Sequence, residues 1–79
     1  NRIEGAMKER DTEIIKKLAN RIVLLRAARR WSQENLAVET GLHRNYIGNI
    51  ERGEINPGLT NINKFARAFD MPIDELMRF

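Results

Sequence analysis

The sequence contains no cysteine. No disulfide can staple the fold and no thiolate can hold a metal. It has one histidine, His43, with no cluster of ligand side chains nearby. A lone histidine of this kind caps a helix or meets a phosphate more readily than it binds a metal. No apolar run approaches the roughly 20 residues of a membrane span, and no signal-peptide core is visible. No phosphate-cradling glycine loop and no nucleophile–base set appears. Asp74 and Glu75 are adjacent, so their carboxylates diverge on a helix. These absences lead us to expect a soluble, cytoplasmic protein with no membrane partner that is not an enzyme, has no catalytic residue and uses no metal or cofactor.

At 79 residues the chain is long enough for one domain. A core of that size is marginal, and a second copy of the chain would help it. The net charge of +3 is unevenly placed. Residues 13–30 carry six basic side chains (Lys16, Lys17, Arg21, Arg26, Arg29, Arg30) against Glu13 alone. Residues 31–79 carry five basic and seven acidic side chains. Such a stripe is either a surface for an anionic partner or a solvated helix face.

The hydrophobic pattern predicts five helices and no strand. "NRIEGA" has no hydrophobic period and precedes Met7. It reads as an expression remnant, within a flexible segment over 1–11, and 12–79 as the folded domain. Over 12–29, Ile14, Ile15, Leu18, Ile22 and Leu25 share one helical face. Asp11 or Thr12 can cap its start. Val23 and Leu24 lie off that face. Ser32 offers the next cap, with Glu34 in the first turn favouring the helix dipole. That helix runs over 33–40, burying Leu36 and Ala37, and Gly41 suits its left-handed end. A third helix spans 44–52 and ends at Gly53. "EINPG" is a loop. Leu59, Ile62, Phe65, Ala66 and Phe69 mark a fourth helix, with Phe65 and Phe69 in the core. Asp70 to Pro72 breaks it, and Ile73 to Phe79 forms a last short helix. Trp31 packs at the end of the first helix.

The third helix is an awkward one. A mid-helix glycine such as Gly48 costs roughly 1 kcal/mol against alanine, and asparagine is a mediocre helix former. At about 100° per residue, Ile47 and Ile50 point one way. Arg44, Asn45, Gly48, Asn49 and Arg52 cluster on the other side. Two short helices joined by a glycine-containing turn form a helix-turn-helix pattern. Arginine suits guanine O6 and N7, and asparagine suits adenine N6 and N7. The glycine would let the helix backbone sit closer to a DNA groove.

The stretch "LLRAARRWSQENLAVETGLHRNYIGNIERGEINPGLTNINKFARAFDMPIDEL" resembles the lambda-repressor-like helix-turn-helix family. That family includes phage repressors and the controller proteins of restriction–modification systems. The resemblance covers roughly residues 14–77, and "WSQENLA", "TGLHRNYIGNIERG" and "FARAFDMPIDEL" carry it most specifically. "GLHRNYI" is nearer to the controller proteins. The resemblance implies an all-α, five-helix domain whose third helix lies in the major groove. It implies base contacts from Arg44, Asn45, Tyr46 and Asn49, and phosphate contacts from Gln33, Arg52 and Asn56. To the phosphate contacts we add His43, on the helix-terminus argument above. Gln33 also braces the recognition helix in this reading, and Arg26 and Glu51 form an internal ion pair. The chain departs from the pattern at three caps, where His43, Gly58 and Pro72 replace serine or threonine. Val23 and Leu24 stand where polar residues are common.

Met71, Ile73, Leu76, Met77 and Phe79 are many apolar residues for one short segment. We expect some to cover the core and the rest to form a dimer interface. The function expected is therefore a sequence-specific transcriptional regulator, a repressor or controller protein, binding an inverted-repeat operator in double-stranded DNA as a homodimer. The competing expectation is an antitoxin-type protein whose main role is to hold a protein partner through Val23, Leu24 and the C-terminal apolar residues. A longer chain with a further domain past Phe79 fits the same sequence.

Overall fold

The computed structural model describes residues 2–79, with side chains from 11 to 79. It has five helices and, among the described residues, no strand: α1 (Arg2–Ala28), α2 (Gln33–Thr40), α3 (Arg44–Glu51), α4 (Gly58–Ala68) and α5 (Ile73–Leu76). The all-α, five-helix expectation holds. None of the described helices is long and apolar enough to cross a membrane.

Three boundaries differ from expectation. α1 starts at Arg2 rather than at 12, so Asp11 and Thr12 lie inside the helix and neither caps it. The expected flexible segment otherwise falls on residues outside the side chains described. α3 ends one residue early, at Glu51. α5 is only Ile73–Leu76, short of the expected end at Phe79, and its cap residue Pro72 offers no side-chain hydrogen bond.

The core joins all five helices. Leu18 and Ile22 of α1 meet Leu36 of α2, Ile47 and Ile50 of α3, Phe65, Ala66 and Phe69 at the end of α4, and Leu76 of α5. Burying a side chain of this size contributes roughly 1.5–3 kcal/mol. Ile14 was expected on the core face but is half exposed. Leu24 is exposed, as its off-face position implies, whereas Val23 is half-buried.

Local chemistry sets the turns. Ser32 and Asn35 form a reciprocal capping box at the start of α2. Gly41 ends that helix at φ 74° and its N–H donates to the Ala37 carbonyl. A side chain is rarely stable there, which is why glycine closes the turn. Buried Thr40 sutures the same turn: its hydroxyl donates to the Leu36 carbonyl (2.8 Å) and accepts from the Leu42 N–H (3.2 Å). The α1–α2 turn has no glycine, and Arg30 itself takes φ 57°.

Much of the basic stripe belongs to the scaffold. Arg21 donates to the carbonyls of Glu75 (2.9 Å) and Leu76 (3.1 Å), closing the exposed end of α5. Arg29 donates to the Phe69 carbonyl at 2.6 Å. Its guanidinium also sits 4.9 Å from the Phe69 ring centroid, and that ring stacks on Trp31 at 5.9 Å. Long cationic side chains here complete helix ends that would otherwise leave bare carbonyls.

One expected interface residue is corrected. Leu76 is fully buried in the core and cannot face a second chain. It joins the core with Leu18 and Ile22 of α1 and Phe65 and Ala66 of α4. Met71, Ile73 and Met77 are half-buried and pack against the same core, while Phe79 is exposed.

Candidate nucleic-acid interface

The α2–turn–α3 unit presents one long face of α3 to solvent. Its opposite side is anchored by fully buried Ile47 and nearly buried Ile50. The N-terminus is capped by His43, whose Nδ1 accepts from the Asn45 N–H at 3.1 Å. His43→Ala should lower stability by about 0.5–2 kcal/mol, and His43→Ser should not. Thermal melts of the two variants check this, and equal losses would mean that the cap is idle.

The C-terminal end of α3 is held by a buried carboxylate. Glu51, its side chain 5% exposed, accepts from Arg26 Nε at 2.6 Å and from Arg26 Nη2 at 3.0 Å. Gln33 Nε2 donates to the same carboxylate at 2.8 Å. Arg26 Nη1 reaches the Trp31 carbonyl at 2.8 Å. One acid thus ties the end of α1, the first residue of α2 and the last turn of α3 together. A two-pronged Arg–carboxylate pair fixes orientation as well as distance.

On the outer face, Arg44 donates through Nε to Glu34 Oε1 at 3.1 Å. The Glu34 carboxyl lies below the ordinary carboxylate range, first because it accepts a backbone N–H at the helix start and then because of Arg44. Arg52 donates through Nε and Nη2 to Glu54, at 2.9 and 3.3 Å, and through Nη2 to Asn49 Oδ1. Its guanidinium is held above the usual arginine range by Glu54. Both pairs are exposed, so they orient the side chains and add little stability.

Gly48 lies between the two arginines. A Cβ built there would stand 3.1 Å from Nη1 of Arg44 and 3.1 Å from Nη1 of Arg52. The missing side chain therefore leaves room for two guanidinium heads to converge over α3. That is a different use of the glycine from a closer backbone approach, and the two are compatible.

The site residues do not all gather. Arg44, Asn45, Asn49 and Arg52 share the outer face with Gly48. Tyr46 does not join them: its ring packs against the core, and its hydroxyl donates to the Pro57 carbonyl (3.4 Å) and accepts from Asn61 Nδ2 (2.9 Å). Asn56 is exposed in the α3–α4 loop, where its Oδ1 accepts from the Gly58 N–H at 3.1 Å. Gln33 stands at the start of α2, facing Glu51. Sequence reasoning missed Glu34, Glu54 and Asn61. Glu34 was assigned to the helix dipole alone, and nothing in a ten-residue separation announces a contact with Arg44. Glu54 carried a clearer signal, since it is two residues from Arg52 across the turn at Gly53.

The sequence pattern of the helix-turn-helix family matches residues 22–76. The chain belongs to that family. Its helix-turn-helix relatives include the control protein C.BamHI of Bacillus amyloliquefaciens, 48% identical over 48 residues, which are 61% of this chain and 59% of that protein. A hypothetical transcription factor of Neisseria meningitidis is 40% identical over 60 residues, 76% of this chain and 57% of that one. The matched part of the chain is thus under two thirds of the length of either relative. The crystal structure of the restriction-modification controller protein C.AhdI from Aeromonas hydrophila superposes with a TM-score of 0.75 at 45% identity, over 78% of this chain and 94% of that one.

Proposed function

We propose that this chain is a sequence-specific DNA-binding transcriptional regulator of the controller type; C.BamHI is named a control protein and C.AhdI a restriction-modification controller protein. The observation that carries the reading is the outer face of α3. It offers arginine and asparagine donors and acceptors, is capped at its N-terminus and is locked from behind by Glu51. A helix so presented has the chemistry to enter a major groove N-terminus first. Arg44, Asn45 and Asn49 then reach base edges, and Tyr46, whose ring packs against the core, is left out of that set. Gln33, His43, Arg52 and Asn56 surround that helix where phosphates would run, and fix register rather than sequence.

A homodimer on an inverted repeat completes the reading. Two recognition helices then lie about 34 Å, or a multiple of it, apart along the duplex. Met71, Ile73, Met77 and Phe79 are the surface proposed for the second copy, without Leu76. Selection of bound duplexes from a random library, with light scattering of the free protein, tests both parts. A palindromic consensus and a dimer are expected. A monomer at micromolar concentration that binds single half-sites would overturn the dimer.

Affinity should fall steeply with salt. If each subunit neutralises about three phosphates, the log–log slope for the dimer is on the order of −5. Because Arg21, Arg26 and Arg29 are engaged in the scaffold, Lys16, Lys17, Arg30 and Arg52 are among the described cations left to supply it. Lys16 is well placed, since its side chain lies against Gly53 at the end of the α3 turn. Titrations at several salt concentrations give the slope, and a value near zero would leave these cations merely solvated.

A further inference from the structure

Arg44 and Arg52 lie two turns apart on the outer face of α3, and a carboxylate holds each one by different atoms. Glu34 takes Arg44 through Nε only. Neither Nη1 nor Nη2 of Arg44 donates to any described residue, so its two terminal nitrogens stay available as a pair. Glu54 takes Arg52 through Nε and Nη2 together, and Asn49 takes Nη2 again. Arg52 keeps only Nη1. Guanine presents two acceptors, O6 and N7, that need two parallel donors from one guanidinium. Arg44 can meet that demand as it stands, and Arg52 cannot.

We propose that Glu34, a residue of α2 rather than of the recognition helix, determines the base specificity of Arg44. This rests on the DNA-reading role argued above for α3. Glu34 holds the guanidinium through Nε and leaves its two terminal nitrogens for one guanine. A free arginine side chain loses rotamer entropy when fixed, and one already braced loses less. The position of Glu34 is itself fixed, because the Ser32–Asn35 capping box defines the first turn of α2. Its charge adds a second effect. A carboxylate at a DNA-facing edge repels phosphate, so every duplex is penalised, and only one that offers Arg44 its two acceptors recovers the loss. Glu34 is thus a positioning residue that touches no base itself.

The test compares Glu34→Ala and Glu34→Gln in otherwise full chains. The probes are the duplex recovered by selection, the same duplex changed at the Arg44-dependent base pair, and a random-sequence duplex. Glu34 is exposed, with 68% of its side chain in solvent, so both variants should fold, and melting curves verify it. Glu34→Ala should reduce discrimination between the first two duplexes by about tenfold while tightening binding to the random one. Glu34→Gln keeps an acceptor for Nε and loses the charge. It should keep the base preference and bind all three duplexes more tightly. In an Arg44→Ala background, Glu34→Ala should leave discrimination unchanged. Unchanged discrimination in Glu34→Ala, or an equal loss with and without Arg44, would overturn the inference. So would an equal loss of preference in the alanine and glutamine variants. If the unaltered chain does not distinguish selected from random duplex, the DNA-reading role falls as well, which separates the two failures.

Discussion

Glu51→Leu should destabilise the domain by about 3–5 kcal/mol, the largest loss expected from any single polar change. The carboxylate is almost out of water and accepts three hydrogen bonds, two from Arg26 and one from Gln33. Removing it strands a guanidinium that is itself 20% exposed and leaves an amide without its acceptor. Arg26→Met strands the acid instead and should cost a similar amount. The Arg26→Met, Glu51→Leu double variant leaves no charge behind and should be milder than either single one. Urea denaturation of the four proteins forms the cycle. Small, additive losses would mean that the pair holds nothing together. Because total stabilities of domains run to about 5–15 kcal/mol, either single variant should also lose DNA binding at temperatures where the double variant retains it.

Arg44→Ala should weaken binding to the selected duplex by about 1–3 kcal/mol, roughly 5- to 150-fold, and relax the preference at one base pair in each half-site. The side chain is 43% exposed and contacts no core residue, so the melting temperature should barely move. Lysine at this position should not restore the preference, since an ammonium cannot offer two parallel donors. Arg52→Ala is the control. With its donors turned to Glu54 and Asn49, it should weaken all sequences about equally and make the salt slope shallower. Binding-site selection with both variants separates the outcomes. If Arg44→Ala weakens every sequence uniformly, Arg44 is a backbone contact and base reading rests on Asn45 and Asn49.

The helices were legible because their signals are local. The capping serine at Ser32, the turn glycine at Gly41 and the 3.6-residue period of Leu59, Ile62, Phe65 and Phe69 each act within a few residues. The start of α1 was not legible: nothing in "RIEGAMKERD" has a hydrophobic period, and the helix runs through it nevertheless. Leu76 was misplaced for a related reason. A short apolar cluster gives no face until the elements that cover it are known. Tyr46 read as part of the outer face margin, and the partners that hold its hydroxyl, Pro57 and Asn61, lie 11 and 15 residues away.

The sequence by itself determined an all-helical chain, a helix-turn-helix with a polar outer face on its third helix, and the family to which the chain belongs. Periodicity, caps and turn residues are written in neighbouring positions and need no distant partner. The Arg26–Glu51 pair expected from the resemblance is present, and only the tertiary structure decided which acceptors the other cations use. By sequence alone Arg21 and Arg29 are bare positive charges, whereas the family resemblance already pairs Arg26 with Glu51 and assigns Arg44 and Arg52 to DNA. In the fold, the acceptors of Arg21, Arg26, Arg29, Arg44 and Arg52 lie 54, 25, 40, 10 and 2 residues away. A guanidinium's role is set by which of its five donors are already taken, and that depends on helices brought together by a core they share.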